Sequence, residues 1–210
     1  MASTSETIHL GPLDHGRRLT LQEFLDADTE EGYRYELARG FLEVTSFPGE
    51  DHGLIVWNLI HSLNDFDRNH PGLIHRAGGG GELRLPGFGS GRHPDVAVVL
   101  RNAPKDLRGV RVPSLVMEVV SPGAEARERD YTTKREEYLA FGLFEYWIVD
   151  PIDRRITVLI RDAGTWVERP FTETQTAEGL VLPGFLVPVA ELFAAAADDE
   201  GQGGAAAPGA

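Results

Sequence analysis

PDVAVVL (94–100) and PSLVMEVV (113–120) are the two stretches on which the fold turns. Both are rich in β-branched residues and both open on a proline, so both read as strands. Each is apolar on both faces, as expected of core strands covered on each side. The segment between them, 101–112, is polar, so the pair reads as an antiparallel hairpin. One acid interrupts each stretch, Asp95 in the first and Glu118 in the second. A register that pairs Asp95 with Glu118 centres the loop between Asp106 and Leu107, the middle of the polar stretch.

Residues opposed on one sheet face stand roughly 5 Å apart. Two ionised carboxylates at that range repel, and each is costly on an apolar strand without compensation. A hard divalent cation with oxygen ligands resolves the conflict; the plain alternative is a pair of strand-end carboxylates in water or paired with arginine. Lys134 adds to the first reading. On a helix through 130–141, Tyr131, Lys134 and Tyr138 share one face, and the two tyrosines point that face inward. A buried ammonium takes a carboxylate neighbour; the alternative is an exposed helical lysine. Two acids, a cation and a lysine make a metal-assisted hydrolytic site. The metal activates water and screens phosphate, and the lysine orients the nucleophile or stabilises transition-state charge.

Outward from this centre, residues 1–18 read as a flexible N-terminal arm. Thr20-Leu-Gln-Glu23 is a capping-box pattern that opens a short helix to about Ala27. YRYELARGFLEV reads as two strands joined by a tight turn at Ala38–Gly40. Leu54, Trp57, Leu59, Ile60 and Leu63 predict an amphipathic helix over 51–66. The four glycines 78–81 lack the Gly-Lys-Ser/Thr sequel of a phosphate-cradling loop and mark a hairpin or the start of a strand. Residues 128–141 have helical character. Segments 144–151, 154–160 and 164–171 read as a three-stranded meander, and a short helix closes the domain, which spans 19–193. Residues 194–210 form an Ala/Gly-rich tail predicted to be disordered.

The bulk composition excludes several classes. The chain of 210 residues has no cysteine, which rules out disulfides and thiolate chemistry and suits a cytoplasmic protein. No apolar run approaches the roughly 18 residues of a membrane helix, and the N-terminus lacks a signal-peptide pattern. A net charge of −13 is awkward for a nucleic-acid partner. It is unevenly spread: residues 84–135 carry 6 acids and 10 bases, against 14 and 6 in 1–83 and 13 and 4 in 136–210. The single net-positive stretch, +4, thus holds the acid and lysine motif, and it implies weak, salt-sensitive DNA binding. His93 lies two residues before Asp95 and His52 opens a helix; either could touch metal or phosphate, or serve local hydrogen bonds. His52 and His61 lack HxxxH spacing, and Ser121 lacks a nucleophile elbow, so zinc-protease and serine-hydrolase readings fall away.

RYELARG (34–40), His52, Pro94-Asp95, MEVVSPG (117–123), Asp130-x-x-x-Lys134, Tyr138 and GLFEYWIVDP (142–151), in that order and spacing, closely resemble the Uma2 family, also called DUF820, of the PD-(D/E)XK nuclease-like superfamily. The match covers about residues 18–193. It implies an α/β (α+β) restriction-endonuclease-like core, a mixed central β-sheet flanked by helices, and a Mg²⁺-dependent (or Mn²⁺-dependent) endonuclease acting on DNA. Asp95 matches the first acid of the motif and Glu118 the second. In the simple motif the lysine sits two residues after the second acid, where this chain has Val120; the family pattern moves the lysine to the next helix, at Lys134. Glu36 lies in a family-like stretch as a third carboxylate or as a surface strand-end acid. A catalytically inactive binding or assembly module and a small-molecule phosphoesterase are the other functions compatible with such a site. Cutting both strands of a duplex calls for a homodimer.

Overall fold

In the computed structural model, residues 7–79 and 81–197 are described. In chain order the elements are β1 (His9–Leu10), α1 (Leu21–Asp26), β2 (Asp28–Thr29), β3 (Tyr33–Ala38), β4 (Phe41–Ser46), α2 (Glu50–Asn69), β5 (Ile74–Gly78), β6 (Leu83–Leu85), β7 (Ser90–Arg92), β8 (Val96–Leu100), β9 (Leu115–Val119), α3 (Ala124–Glu128), a π-turn (Arg129–Thr133) and α4 (Lys134–Phe141). There follow β10 (Glu145–Asp150), β11 (Arg155–Asp162), β12 (Thr165–Thr172), β13 (Thr176–Glu178), β14 (Leu186–Pro188) and α5 (Val189–Ala197). The span 19–193, expected as one domain, divides among the described residues into two compact units: residues 7–48 with 79 and 81–94, and residues 49–78 with 95–197.

The first unit is a four-stranded sheet of order β4-β3-β7-β6. Its β3–β4 hairpin turns at Arg39 and Gly40, both with positive φ (51° and 83°), as a two-residue turn matched to strand twist requires. Thr20 and Glu23 form the expected capping box at α1. Residues 7–18, expected as part of an arm, are instead tied down. β1 pairs in parallel with β2, and Leu10 is fully buried with Leu19, Phe24, Tyr35, Leu37 and Leu42. Burial of one leucine and two ladder rungs outweighs the polar composition around them. Residues 1–6 of that arm lie outside the described residues, as do residues 198–210 of the predicted tail and Gly80 of the glycine run.

The second unit is a six-stranded mixed sheet of order β12-β11-β10-β9-β8-β5, in which β9 and β10 alone run parallel. The meander β10–β11–β12 follows the sequence reading. On one sheet face, Met117 and Val119 of β9 and Trp147 and Val149 of β10 pack with Ile55, Leu59, Leu63 and Phe66 of α2 and with Leu192 and Phe193 of α5. The opposite face of β9 and β10 presents Glu118 and Tyr146, which meet residues of α4 and the π-turn. Strands covered on both faces explain why the deciding stretches carry no polar alternation. Among the described residues no helix is long and apolar enough to cross a membrane.

Candidate active site

The site lies where β8 begins and β9 ends. The ladder pairs Val96 with Met117, Ala97 with Val116 and Val98 with Leu115, and one further rung brings Asp95 opposite Glu118. The two acids are tied across the strands. Val119 N–H donates to Asp95 Oδ2 (2.9 Å), and Asp95 N–H leans on Glu118 Oε2 at 3.4 Å. From α2, His52 places Nε2 3.3 Å from Asp95 Oδ2. Its Nδ1 is buried without a hydrogen-bond partner among the described residues. His52 thus stands against the acid itself.

Lys134 reaches the pair from the other sheet face. Its Nζ is 3.0 Å from Glu118 Oε1 and 3.4 Å from Asp130 Oδ1, and Tyr138 Oη donates to the same Glu118 Oε1 at 2.7 Å. All four side chains are buried. The π-turn sets this arrangement. Lys134 N–H bonds to Arg129 O, five residues back, so the turn holds one residue more than an α-helical turn. That corrects the expected face. Asp130, not Tyr131, joins Lys134 and Tyr138 inward, while Tyr131 rotates away and donates to Asp150 Oδ2 at 2.8 Å. Asp130 entered the sequence reading only as part of the Asp130-x-x-x-Lys134 motif and was given no role, although its four-residue spacing from Lys134 was a usable signal. Tyr146 supports the turn by donating to Asp130 O at 2.9 Å. Burial, reinforced by the charges of Asp130, Glu118 and Asp95, pushes the Tyr146 phenol well above its ordinary range, so it stays a donor.

A second anchor lies on the same sheet face. Asp150 is fully buried at the end of β10, two residues beyond Ile148, the partner of Glu118. It accepts from Arg127 (2.6 Å), Tyr131 (2.8 Å) and the N–H groups of Ile152 and Asp153 (3.0 Å each). The EYWIVDP stretch therefore carries at Asp150 an acid that ties α3 and the π-turn to the sheet. Its Trp147 and Tyr146 are fully buried core aromatics.

Glu36 and His93 belong to the other unit. Glu36 is cross-strand from Glu43, and fully buried Arg92 bridges the two acids at 3.2 and 2.7 Å. Glu36 Oε1 also accepts the backbone N–H of His93 at 2.8 Å. This is an ion-paired strand cluster, and it accounts for Glu36 without a metal. The net-positive stretch is likewise dispersed. Arg101, Lys105, Arg108 and Arg111 sit in the β8–β9 loop, at the opposite end of the strands from Asp95 and Glu118, roughly 17 Å away for five residues of strand. Arg127, Arg129, Lys134 and Arg135 all pair with acids within their own unit.

Among the described residues no group of three or more His, Asp or Glu side chains has metal-ligand spacing. The donor set nonetheless fits a hard cation. Asp95 and Glu118 stand on facing rungs of adjacent strands, and Mg²⁺ is commonly held by one or two carboxylates with water and phosphate completing its shell.

The family model named Uma2 and described as "Putative restriction endonuclease" matches residues 21–190. The crystal structure of a "putative nuclease belonging to DUF820" from Anabaena variabilis ATCC 29413 superimposes with a TM-score of 0.68 at 18% identity, covering 85% of this chain and 99% of that one. No curated protein matches the sequence.

Proposed function

Because this chain belongs to the Uma2 family and has the fold of a DUF820 nuclease-like protein, we propose that it is a divalent-metal-dependent endonuclease that hydrolyses phosphodiester bonds of DNA at Asp95 and Glu118. The observation that carries this reading is the buried Lys134, 3.0 Å from Glu118 on the rung where Glu118 faces Asp95.

Asp95 and Glu118 would hold Mg²⁺ or Mn²⁺. A cation there supplies Lewis-acid chemistry, lowering the pKa of a water and neutralising charge on the phosphate. The remaining work falls to the chain. Val119 N–H and His52 Nε2 hold Asp95 Oδ2 in place, and Tyr138 and Lys134 hold Glu118 Oε1. Both acids are thereby oriented before substrate arrives. Lys134 is held between Glu118 and Asp130, so its positive charge is fixed where a phosphorane-like transition state would develop negative charge. Cutting both strands calls for two such sites, which a two-fold homodimer supplies.

The test is incubation of supercoiled plasmid with the purified protein and Mg²⁺ or Mn²⁺, beside Asp95→Ala. Nicking and linearisation are expected, falling at least about 100-fold in the variant. Cleavage undiminished in Asp95→Ala sinks the assignment. The net charge of −13 favours one other reading, a non-catalytic module of the same fold. Calorimetric titration with Mn²⁺ separates the two, since absence of binding at millimolar metal favours the inert module.

A further inference from the structure

At the end of the six-stranded sheet away from Asp95 and Glu118, the second unit gathers cations that have no acid partner. The row Val98, Leu115, Glu145, Ile160 crosses β8, β9, β10 and β11. Just beyond it lie the 101–112 loop, Phe144 and Arg161, spread over about 15 Å for three strand spacings. Among the described residues Arg101, Lys105, Arg111 and Arg161 make no ion pair. The loop carries a charge of +3 in a chain of net charge −13.

The loop is held in shape. Lys105 and Arg111 oppose each other in an antiparallel bridge. Asp106 N–H donates to Val110 O at 2.8 Å, and Asp106 Oδ1 accepts the N–H groups of Arg108 and Val110 at 2.9 Å each. The Asp106 charge is thus engaged by the turn and by Arg108, 2.7 Å away. Like charges directly opposed across a strand pair are destabilising, so Lys105 against Arg111 is a cost that folding does not explain. At the tip Leu107 is wholly exposed and Val110 half exposed. On β10, Phe144 is half exposed beneath the Arg161 guanidinium, 5.1 Å from its ring centre. Arg161 Nε is buried without a hydrogen-bond partner among the described residues. Apolar and aromatic side chains among arginines suit a protein interface. A duplex held here would lie a strand length, roughly 17 Å, from the two acids.

The complement is in the same chain. Asp26, Asp28, Glu30 and Glu31 are exposed and, among the described residues, make no ion pair. Pairing with β1 fixes their backbone, with Asp28 N–H on Ile8 O and Glu30 N–H on Leu10 O at 2.9 Å each. We propose that the 101–112 loop, with Phe144 and Arg161 beside it, docks on residues 26–31 of a second copy of this chain. In a two-fold pair each copy supplies one loop and one acidic segment, so the contact forms twice. The net charges of two copies repel, but at physiological salt they are screened beyond about 8 Å, while charges in contact still act. A second copy is what the endonuclease reading calls for; the surface itself rests on charge and exposure, and not on cleavage.

Sedimentation equilibrium in EDTA at physiological salt tests this. The wild type is expected to dimerise as its concentration rises, and to do so less at about 1 M salt. Lys105→Glu with Arg111→Glu in one protein, and Asp28→Lys with Glu31→Lys in another, set like charges against like. Each double variant should associate at least about tenfold more weakly. Leu107→Ser should weaken association by about tenfold through lost apolar burial. Mixing the two double variants restores opposite charges at both contacts, so the mixture should form the dimer that neither forms alone. A wild type that stays monomeric, or a dimer indifferent to the loop variants, overturns the surface. Loss without restoration on mixing overturns residues 26–31 as its occupant. A labelled duplex bound through Lys105 and Arg111 by a monomeric chain makes nucleic acid the occupant and overturns the self-contact. A monomer that still nicks plasmid with Mg²⁺ overturns this surface and leaves the endonuclease reading standing; a dimer that cuts nothing does the reverse.

Discussion

Lys134 Nζ lies 3.0 Å from Glu118 Oε1, and both side chains are almost wholly withdrawn from water. A buried pair of this kind adds little net stability over an apolar replacement of both partners, but breaking it strands a charge. Lys134→Met leaves Glu118 ionised beside Asp95 without the ammonium, the Tyr138 hydroxyl still on Oε1. The expected cost is about 3–5 kcal/mol in urea unfolding. Mn²⁺ should raise the melting temperature of the variant more than that of the wild type, because a cation replaces the missing charge. A cost below about 1 kcal/mol, the value of an exposed pair, would mean that the ammonium does not neutralise Glu118.

Much of this site was legible in the sequence. Its two acids interrupt strands that are otherwise apolar on both faces, and a register that pairs them centres the intervening loop on its polar middle, as the ladder has it. The lysine was legible as inward-facing beside Tyr138 and a carboxylate, but Asp130 was not given its place next to it. Tyr131, Lys134 and Tyr138 at i, i+3 and i+7 gave Tyr131 the inward place, whereas in the π-turn Asp130 stands there. Charge summed along the chain also misled. Residues 84–135 are net positive, but β8 and β9 carry the acids at one end and the basic loop at the other. The Arg92 bridge between Glu36 and Glu43 joins residues up to 56 positions apart, which no local pattern reveals.

Glu145 is buried on β10 and gathers three donors: Trp147 Nε1 (2.7 Å), Leu180 N–H (2.5 Å) and Val181 N–H (2.9 Å). A Cβ on Gly179 would run into this carboxylate. Gly179→Ala is therefore expected to destabilise by about 1–3 kcal/mol, as overpacking does. Glu145→Ala in the same chain should cost less than the two single changes added together, since one residue creates the clash that the other relieves. Calorimetric melting of the four proteins checks it, and strict additivity would refute the contact.

Asp150 ties α3 and the π-turn to the sheet through Arg127 and Tyr131. Asp150→Asn keeps the shape and removes the charge that Arg127 meets. Hydrogen bonds to charged groups contribute about 1.5–3 kcal/mol, so local opening of residues 124–138 should become about tenfold or more frequent. Amide hydrogen exchange reads this directly, with the β11–β12 hairpin unaffected. Uniform acceleration across the chain would mean that Asp150 supports the whole unit instead of anchoring this arm.

Tyr146 makes the alkaline limit of stability a property of the same cluster. Its fully buried hydroxyl donates to Asp130 O at 2.9 Å, and burial with three nearby carboxylates raises its folded-state pKa well above the ordinary value. The unfolded chain releases the phenolic proton near pH 10. Stability from this group is thus complete below about pH 10 and is lost as pH rises toward the folded value, at up to about 1.4 kcal/mol per pH unit. Tyr146→Phe removes that dependence and also removes one hydrogen bond, costing about 1 kcal/mol at neutral pH. The variant should start less stable at pH 7, then lose stability less steeply above pH 10 by about one proton, so the two curves converge. Tyr35 and Tyr131 are raised by burial as well and titrate in both proteins, so the difference in slope isolates Tyr146. Urea unfolding at several alkaline pH values measures it. Parallel curves would show that the phenol ionises within the folded protein, and the charge-dense surroundings of Asp130 would then have to be water-accessible.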